Sequence, residues 1–239
     1  METNDSVEPI EPVAAPPADL LPVQRKATPA YRLIRILLLP VFHVLFIFQV
    51  KGRRNTPKHR AYVLIANHLN WLDSFALTAS FPPEPRIHFL GDPTILQTRK
   101  VQWAFVRMVG GYIPVNNRDG SGPALYHHVD RCLERGGVVA LYPEGHYGAE
   151  EGKVDAFKKG FAHFAIQNNV QVLPVALSGT QDLWLRKKIL VFIGEPIDPD
   201  GHTVESLVAE GHARMERLLP AYRAPWGPRL LRNWLTHLL

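Results

Sequence analysis

The sequence predicts an α/β fold: a largely parallel, twisted central sheet flanked by helices, preceded by an N-terminal membrane-associated helical segment. Three observations point there. Short apolar runs with strand character recur at 62–66, 86–90, 137–142, 170–177 and 189–193. Stretches of helical character lie between several of them, at 71–80, 94–108, 124–135 and 156–168. Strands alternating with helices build crossover units around a parallel sheet. An apolar stretch upstream, residues 36–50, carries arginines on both flanks. In sheets of this kind, ligands gather at the carboxyl ends of the strands.

The chain has 239 residues, 46% of them hydrophobic and 21% charged, enough apolar side chain for a sizeable core. Residues 1–29 are rich in Pro, Ala and acids and have no hydrophobic period, so a disordered acidic tail is expected. It lacks the basic leader of a secretory signal. Met1 to Gln24 hold five acids and no Lys or Arg. Removing those five from the 22 acids leaves 17 against 27 bases, so the body carries a net +10. A basic body suits an anionic partner such as a membrane surface or an acidic carrier.

Residues 30–56 form the expected membrane-associated segment. Its uncharged run of about 15 residues is shorter than the ~20 a spanning helix needs, and Pro40 and His43 interrupt it. Arg32 and Arg35 precede it, and Lys51, Arg53 and Arg54 follow. Insertion from one face with cations at the headgroups fits this pattern. A buried core helix and a single span are the competing readings. The globular domain is placed at 57–220. Residues 221–239 read as an amphipathic helix, with Leu230, Leu231, Trp234, Leu235, Leu238 and Leu239 on one face. That helix either lies on a membrane or docks on the protein's own core. The lone cysteine, Cys132, excludes an internal disulfide, fits a reducing compartment and reads as a buried small hydrophobe.

The chemistry centres on "NHLNWLD", residues 67–73. His68 follows an apolar strand, and Asp73 lies at the start of the next helix. With Asn70 as N-cap, Asp73 falls at the third helical position and points back towards the turn. A carboxylate that accepts from one imidazole nitrogen frees the other to take a proton. The same spacing also fits a capping box in which Asp73 serves only the Asn70 backbone. No Ser or Cys stands beside His68 as a nucleophile, so the nucleophile is expected to be a substrate hydroxyl. Three further stretches join it. "YPEGHYG" ends an apolar strand in a Pro143-Glu144-Gly145 turn. "GGYIPVNNRDG" presents Arg118 in a glycine-bounded loop, a natural anion contact. "VLPVAL" at 172–177 is an apolar strand holding Pro174.

In this order the four stretches, with "FKKG" at 157–160, resemble the glycerolipid acyltransferase family of lysophosphatidic acid acyltransferases. The resemblance spans about half the chain, 63–177. It implies His68 as general base, Asp73 as its orienter, and an acceptor hydroxyl attacking the thioester of acyl-CoA or of acyl-acyl carrier protein. It implies acceptor binding by Asn67, Arg118, Pro143, Glu144, Gly145, His146 and Lys158. It also implies membrane lipids and a lysolipid as partners, the cytoplasmic face of a membrane as location, and no cofactor beyond the thioester co-substrate. Two departures bear on the acceptor. The family's P-E-G-T-R reads Pro143-Glu144-Gly145-His146-Tyr147, and Asn117 stands where many members have arginine, with Arg118 one step later. Each removes or displaces a phosphate contact, and His146, Lys153, Lys158 and Lys159 are the candidates to supply one. An acceptor other than lysophosphatidic acid follows as an expectation.

A non-catalytic lipid-binding adaptor that retains the fold is the alternative. The intact His68–Asp73 pair argues against it. Nucleic acid is not an expected partner, since zinc spacing, an RNA-binding aromatic motif and a clustered basic helix are all lacking. No metal is expected either: His127 and His128 are adjacent, and neighbours in a helix point about 100° apart.

Overall fold

The computed structural model describes residues 26–92, 111–115, 123–223 and 227–238. The expected helix at 94–108, Arg118 and most of the acidic tail lie outside the described residues.

Among the described residues seven strands form one sheet in the order β1-β7-β6-β2-β5-β3-β4. They are β1 (Phe46–Lys51), β2 (Tyr62–Ala66), β3 (Ile87–Gly91), β4 (Tyr112–Pro114), β5 (Val138–Leu141), β6 (Gln171–Ser178) and β7 (Lys187–Ile193). Strands β2 to β6 run parallel; β7 is antiparallel to β6, and β1 runs parallel to β7. The expected largely parallel sheet is therefore present, with two reversed strands at one side.

Strand β2 sits at the centre, and all five of its residues are buried. A strand buried on both faces needs no polar alternation, which is why "YVLIA" reads as a continuous apolar run. Tyr62, Leu64 and Ala66 face one core layer with Leu72 and Leu77 of α2 (Leu72–Ser80). Val63 and Ile65 face the other, built by Val129 of α3 (Pro123–Glu134), Phe161 of α4 (Gly160–Gln167) and Leu207 of α5 (Val204–Leu218). Full burial of each such side chain stabilises by about 1.5–3 kcal/mol before entropy is subtracted. Cys132 belongs to the second layer; it is free and buried, and burial pushes its thiol up to about 12.

Helix α1 (Pro29–Leu45) begins where the Thr28 side chain accepts from the Tyr31 backbone, with proline in its first turn. It packs Tyr31 and Phe42 inward and leaves Leu33, Ile36, Leu37, Val41 and Val44 exposed. Among the described residues no helix is long and apolar enough to cross a membrane. The expected helical segment at 30–56 is corrected at its second half. Phe46–Lys51 is strand β1, because Phe46, Phe48 and Val50 alternate with Ile47, Gln49 and Lys51 and pair along β7. The expected helix at 221–239 is also shorter: among the described residues of that segment, α6 covers Arg232–Thr236, with Leu235 fully buried.

Candidate active site

Register brings two turns together. Strand β2 pairs β5 with Ile65 opposite Leu141, so the next residues along each strand, Ala66-Asn67-His68 and Tyr142-Pro143-Glu144, leave the sheet side by side. Both lie at carboxyl ends of parallel strands, where an open α/β sheet places its ligand site.

Asn67 is fully buried. Its Oδ1 accepts from the Leu177 backbone N–H at 2.8 Å, and its Nδ2 donates to the Leu177 carbonyl at 3.0 Å. The side chain thus extends the β2–β6 pairing by one rung. Both polar atoms of the side chain brace the turn.

His68 Nδ1 donates to Asp73 Oδ2 at 2.8 Å. The same oxygen accepts from the backbone N–H groups of Leu69 at 2.6 Å and Asn70 at 2.8 Å. Asp73 is fully buried, while the His68 side chain is 20% exposed. The carboxylate can only accept, so the proton sits on Nδ1 and the Nε2 lone pair is free. Capping and base-orienting roles therefore coexist on one oxygen. The expected Asn70 cap is corrected: Trp71 occupies the cap position, Asp73 is the second helical residue, and the Asn70 amide donates instead to the carbonyls of Gln181 at 3.1 Å and Thr236 at 3.4 Å.

Two tyrosines frame the imidazole, and the sequence reading missed both. Tyr142 stacks on His68 with centroids 3.7 Å apart and planes 6° apart, and its hydroxyl pairs with Ser74 at 2.8 Å. Tyr147 lies at 4.2 Å and 44°, and is exposed. Their only sequence signal is an aromatic residue on either side of the Pro-Glu-Gly turn.

The Pro-Glu-Gly turn itself is built for support. Glu144 is buried, and burial, with Asp155 nearby as a second cause, pushes its carboxyl up to about 7. It accepts a hydrogen bond from the His68 backbone. This bond ties Glu144 to the histidine turn as a brace. Pro143 is buried and its carbonyl accepts from the Lys158 backbone at 2.8 Å. Gly145 has φ +76, and a Cβ there would meet Lys158 Nζ at 2.5 Å. The positive φ favours glycine here, while the exposed Lys158 side chain can move aside. Gly148 N–H closes the loop by donating to the His68 carbonyl at 2.6 Å.

Of the expected cations, Lys158 is exposed and lies over this turn. Lys153 pairs with Glu150 at 2.6 Å and Lys159 with Glu205 at 2.8 Å, so both are engaged elsewhere. His146 lies 3.8 Å from Asp155.

Comparison with known proteins places this geometry. The acyltransferase family model matches residues 47–178. Human 1-acyl-sn-glycerol-3-phosphate acyltransferase alpha is 24% identical over 207 residues, covering 80% of this chain and 70% of that protein. The sheep protein of the same name is 26% identical over 165 residues, and the match covers about half of its length, 54%. The 1-acyl-sn-glycerol-3-phosphate acyltransferase of Bacillus subtilis is 24% identical over 152 residues, covering 62% of this chain and 73% of that one. The crystal structure of the 1-acyl-sn-glycerophosphate acyltransferase PlsC from Thermotoga maritima shares the fold, with a TM-score of 0.66 over 83% of this chain and 81% of that one, at 24% identity. The matched residues take in the His68 turn, the Pro-Glu-Gly turn and strand β6 together, and the chain belongs to the acyltransferase family.

Proposed function

We propose that the protein moves a fatty acyl group from a thioester donor, acyl-CoA or acyl-acyl carrier protein, to a hydroxyl of a lysophospholipid at a membrane surface. The observation that carries this reading is the Nδ1–Asp73 bond at 2.8 Å, which leaves His68 Nε2 as an open base at the end of the central strand.

In this mechanism Nε2 takes the proton of the acceptor hydroxyl as its oxygen attacks the thioester carbonyl. The tetrahedral intermediate collapses, the C–S bond breaks, and the imidazolium returns its proton to the departing thiolate. The products are an ester and a free thiol, with no covalent enzyme intermediate and no cofactor. Buried Asp73 steadies the imidazolium, and Tyr142 fixes the ring plane. Such a base contributes roughly 10²–10⁴-fold, and alignment of the two substrates adds to it.

Lys158 at the Pro-Glu-Gly turn and Arg118 serve the acceptor phosphate. The net +10 outside the acidic stretch draws both anionic substrates. Tyr147 stands where the family pattern has arginine, which favours a lysolipid whose phosphate carries a further headgroup over lysophosphatidic acid. The exposed apolar face of α1 seats the enzyme on one leaflet, the cytoplasmic one.

The test is mass spectrometry of lipids made by the purified full chain from acyl-CoA and acyl carrier protein donors against a panel of lysolipids. The expected result is one acylated lysolipid and stoichiometric free thiol. Vesicle binding with no acyl transfer across the panel would instead establish a lipid-binding adaptor.

A further inference from the structure

Residues 227–238 form a strap across the carboxyl end of the sheet, and it has two unlike edges. The inner edge grips the catalytic turn. Trp71 Nε1 donates to the Leu235 carbonyl at 3.1 Å, and Asn70 Nδ2 reaches the Thr236 carbonyl. Thr236 Oγ1 accepts from the Leu183 N–H at 2.9 Å and donates back to its carbonyl at 3.2 Å. Leu235 is the strap's fully buried apolar anchor.

The outer edge is unlike a solvated surface. Leu230, Leu231, Trp234 and Leu238 are 61%, 53%, 56% and 39% exposed. Leu231 holds a left-handed backbone at φ +61, a conformation a bulky residue rarely adopts. Arg229 and Arg232 border the leucines and share the single carboxylate of Asp182, at 3.9 and 2.7 Å. The strap contains no acid of its own. Tryptophan and leucine bordered by arginine is the composition of a segment lying at the boundary of acyl chains and anionic headgroups.

A second apolar band adjoins it. Leu185 N–H donates to the Leu230 carbonyl, and the next residue, Arg186, donates its N–H to the Leu45 carbonyl at the end of α1. Val41 and Val44, at that end of α1, are 51% and 67% exposed.

We propose that the strap is a lipid-docking element: its outer edge inserts into an anionic bilayer, next to α1, while its inner edge holds the catalytic turn at the surface where a lysolipid arrives. It rests for its purpose on the lipid reading above, but vesicle binding is scored without turnover, so the two fail separately.

The native Cys132 is buried, so a cysteine placed on the surface can be labelled selectively. An environment-sensitive fluorophore on Trp234→Cys in the full chain is compared with one on Asp200→Cys, an exposed loop residue. Phosphatidylglycerol-rich vesicles are expected to blue-shift the Trp234→Cys probe and shield it from an aqueous quencher, and to leave the Asp200→Cys probe unchanged. Leu231→Glu with Trp234→Glu is expected to weaken vesicle partitioning at least about tenfold with the thermal unfolding transition retained. An Ile36→Glu, Leu37→Glu variant reports the α1 contribution in parallel. The proposal is overturned if the Trp234→Cys probe stays aqueous while the chain floats with vesicles. It is also overturned if the probe shifts with protein concentration alone, which would make the strap a self-association surface.

Discussion

The imidazole of His68 lies flat on the phenol of Tyr142, 3.7 Å between centroids, so the base is held in plane by a ring delivered from the neighbouring strand. This contact and the Asp73 bond fix the ring in two independent directions. Tyr142→Phe keeps the stack and loses only the Ser74 hydrogen bond, so activity within a few-fold of wild type and a stability loss of about 1 kcal/mol are expected. Tyr142→Ala removes the ring itself. It is expected to cost about 2–4 kcal/mol and to lower kcat by more than tenfold. Steady-state kinetics beside denaturant unfolding separate the two effects.

Asp73 serves three donors through one oxygen. Asp73→Asn keeps an oxygen to accept from the Leu69 and Asn70 backbones and from His68 Nδ1, but loses the negative charge that steadies the imidazolium. A loss of kcat of about 10²–10⁴-fold with only a small change in stability is expected. Asp73→Ala leaves the buried Leu69 and half-buried Asn70 backbone donors unpaired as well, and is expected to lower stability by about 1–3 kcal/mol. Comparable stability of the two variants would contradict the bracing role.

Glu144 makes stability depend on pH. Its folded pKa is about 7, above the ordinary 4.5, because burial disfavours the charge. The folded protein therefore holds a proton that the unfolded chain has released. This contribution is complete below about pH 4.5 and is lost as pH rises through about 7. Its size is about 1–3 kcal/mol. Glu144→Gln keeps the neutral form at every pH, so its stability is expected to be flatter between pH 4.5 and 7 and higher than wild type above it. Urea unfolding across that range reads the difference, and parallel profiles for the two proteins would refute it.

Lys158 is the exposed cation over the Pro-Glu-Gly turn. Lys158→Ala is expected to raise KM for an anionic acceptor about tenfold with a smaller change in kcat, and to weaken the salt dependence of KM. Tyr147→Arg restores the family's residue beside it, and is expected to shift acceptor preference towards lysophosphatidic acid. A panel of acceptors run against both variants measures this.

Much of this was legible from residue types alone. The strands that carry the site announce themselves as continuous apolar runs because they are buried on both faces, and His68 and Asp73 are five residues apart, within reach of one turn. What escaped depends on contacts between distant segments. Tyr142 reaches His68 only through the β2–β5 register. The bracing bonds of Asn67 and Glu144 show only once β6 and the Pro-Glu-Gly turn are placed around them. Strand β1 merged into the apolar run of α1 because the chain passes from Leu45 to Phe46 with no turn residue between. Helix α5 escaped as well, although Thr203 caps it and Leu207, Gly211 and Met215 recur every four residues on its buried face.

The central claim is that His68 Nε2 deprotonates the acceptor, and comparing product formation by wild type and His68→Ala with the preferred lysolipid tests it most directly. The account predicts that the folded variant loses at least about 10²-fold in acyl transfer at every pH. Turnover by His68→Ala equal to that of the wild type would contradict it.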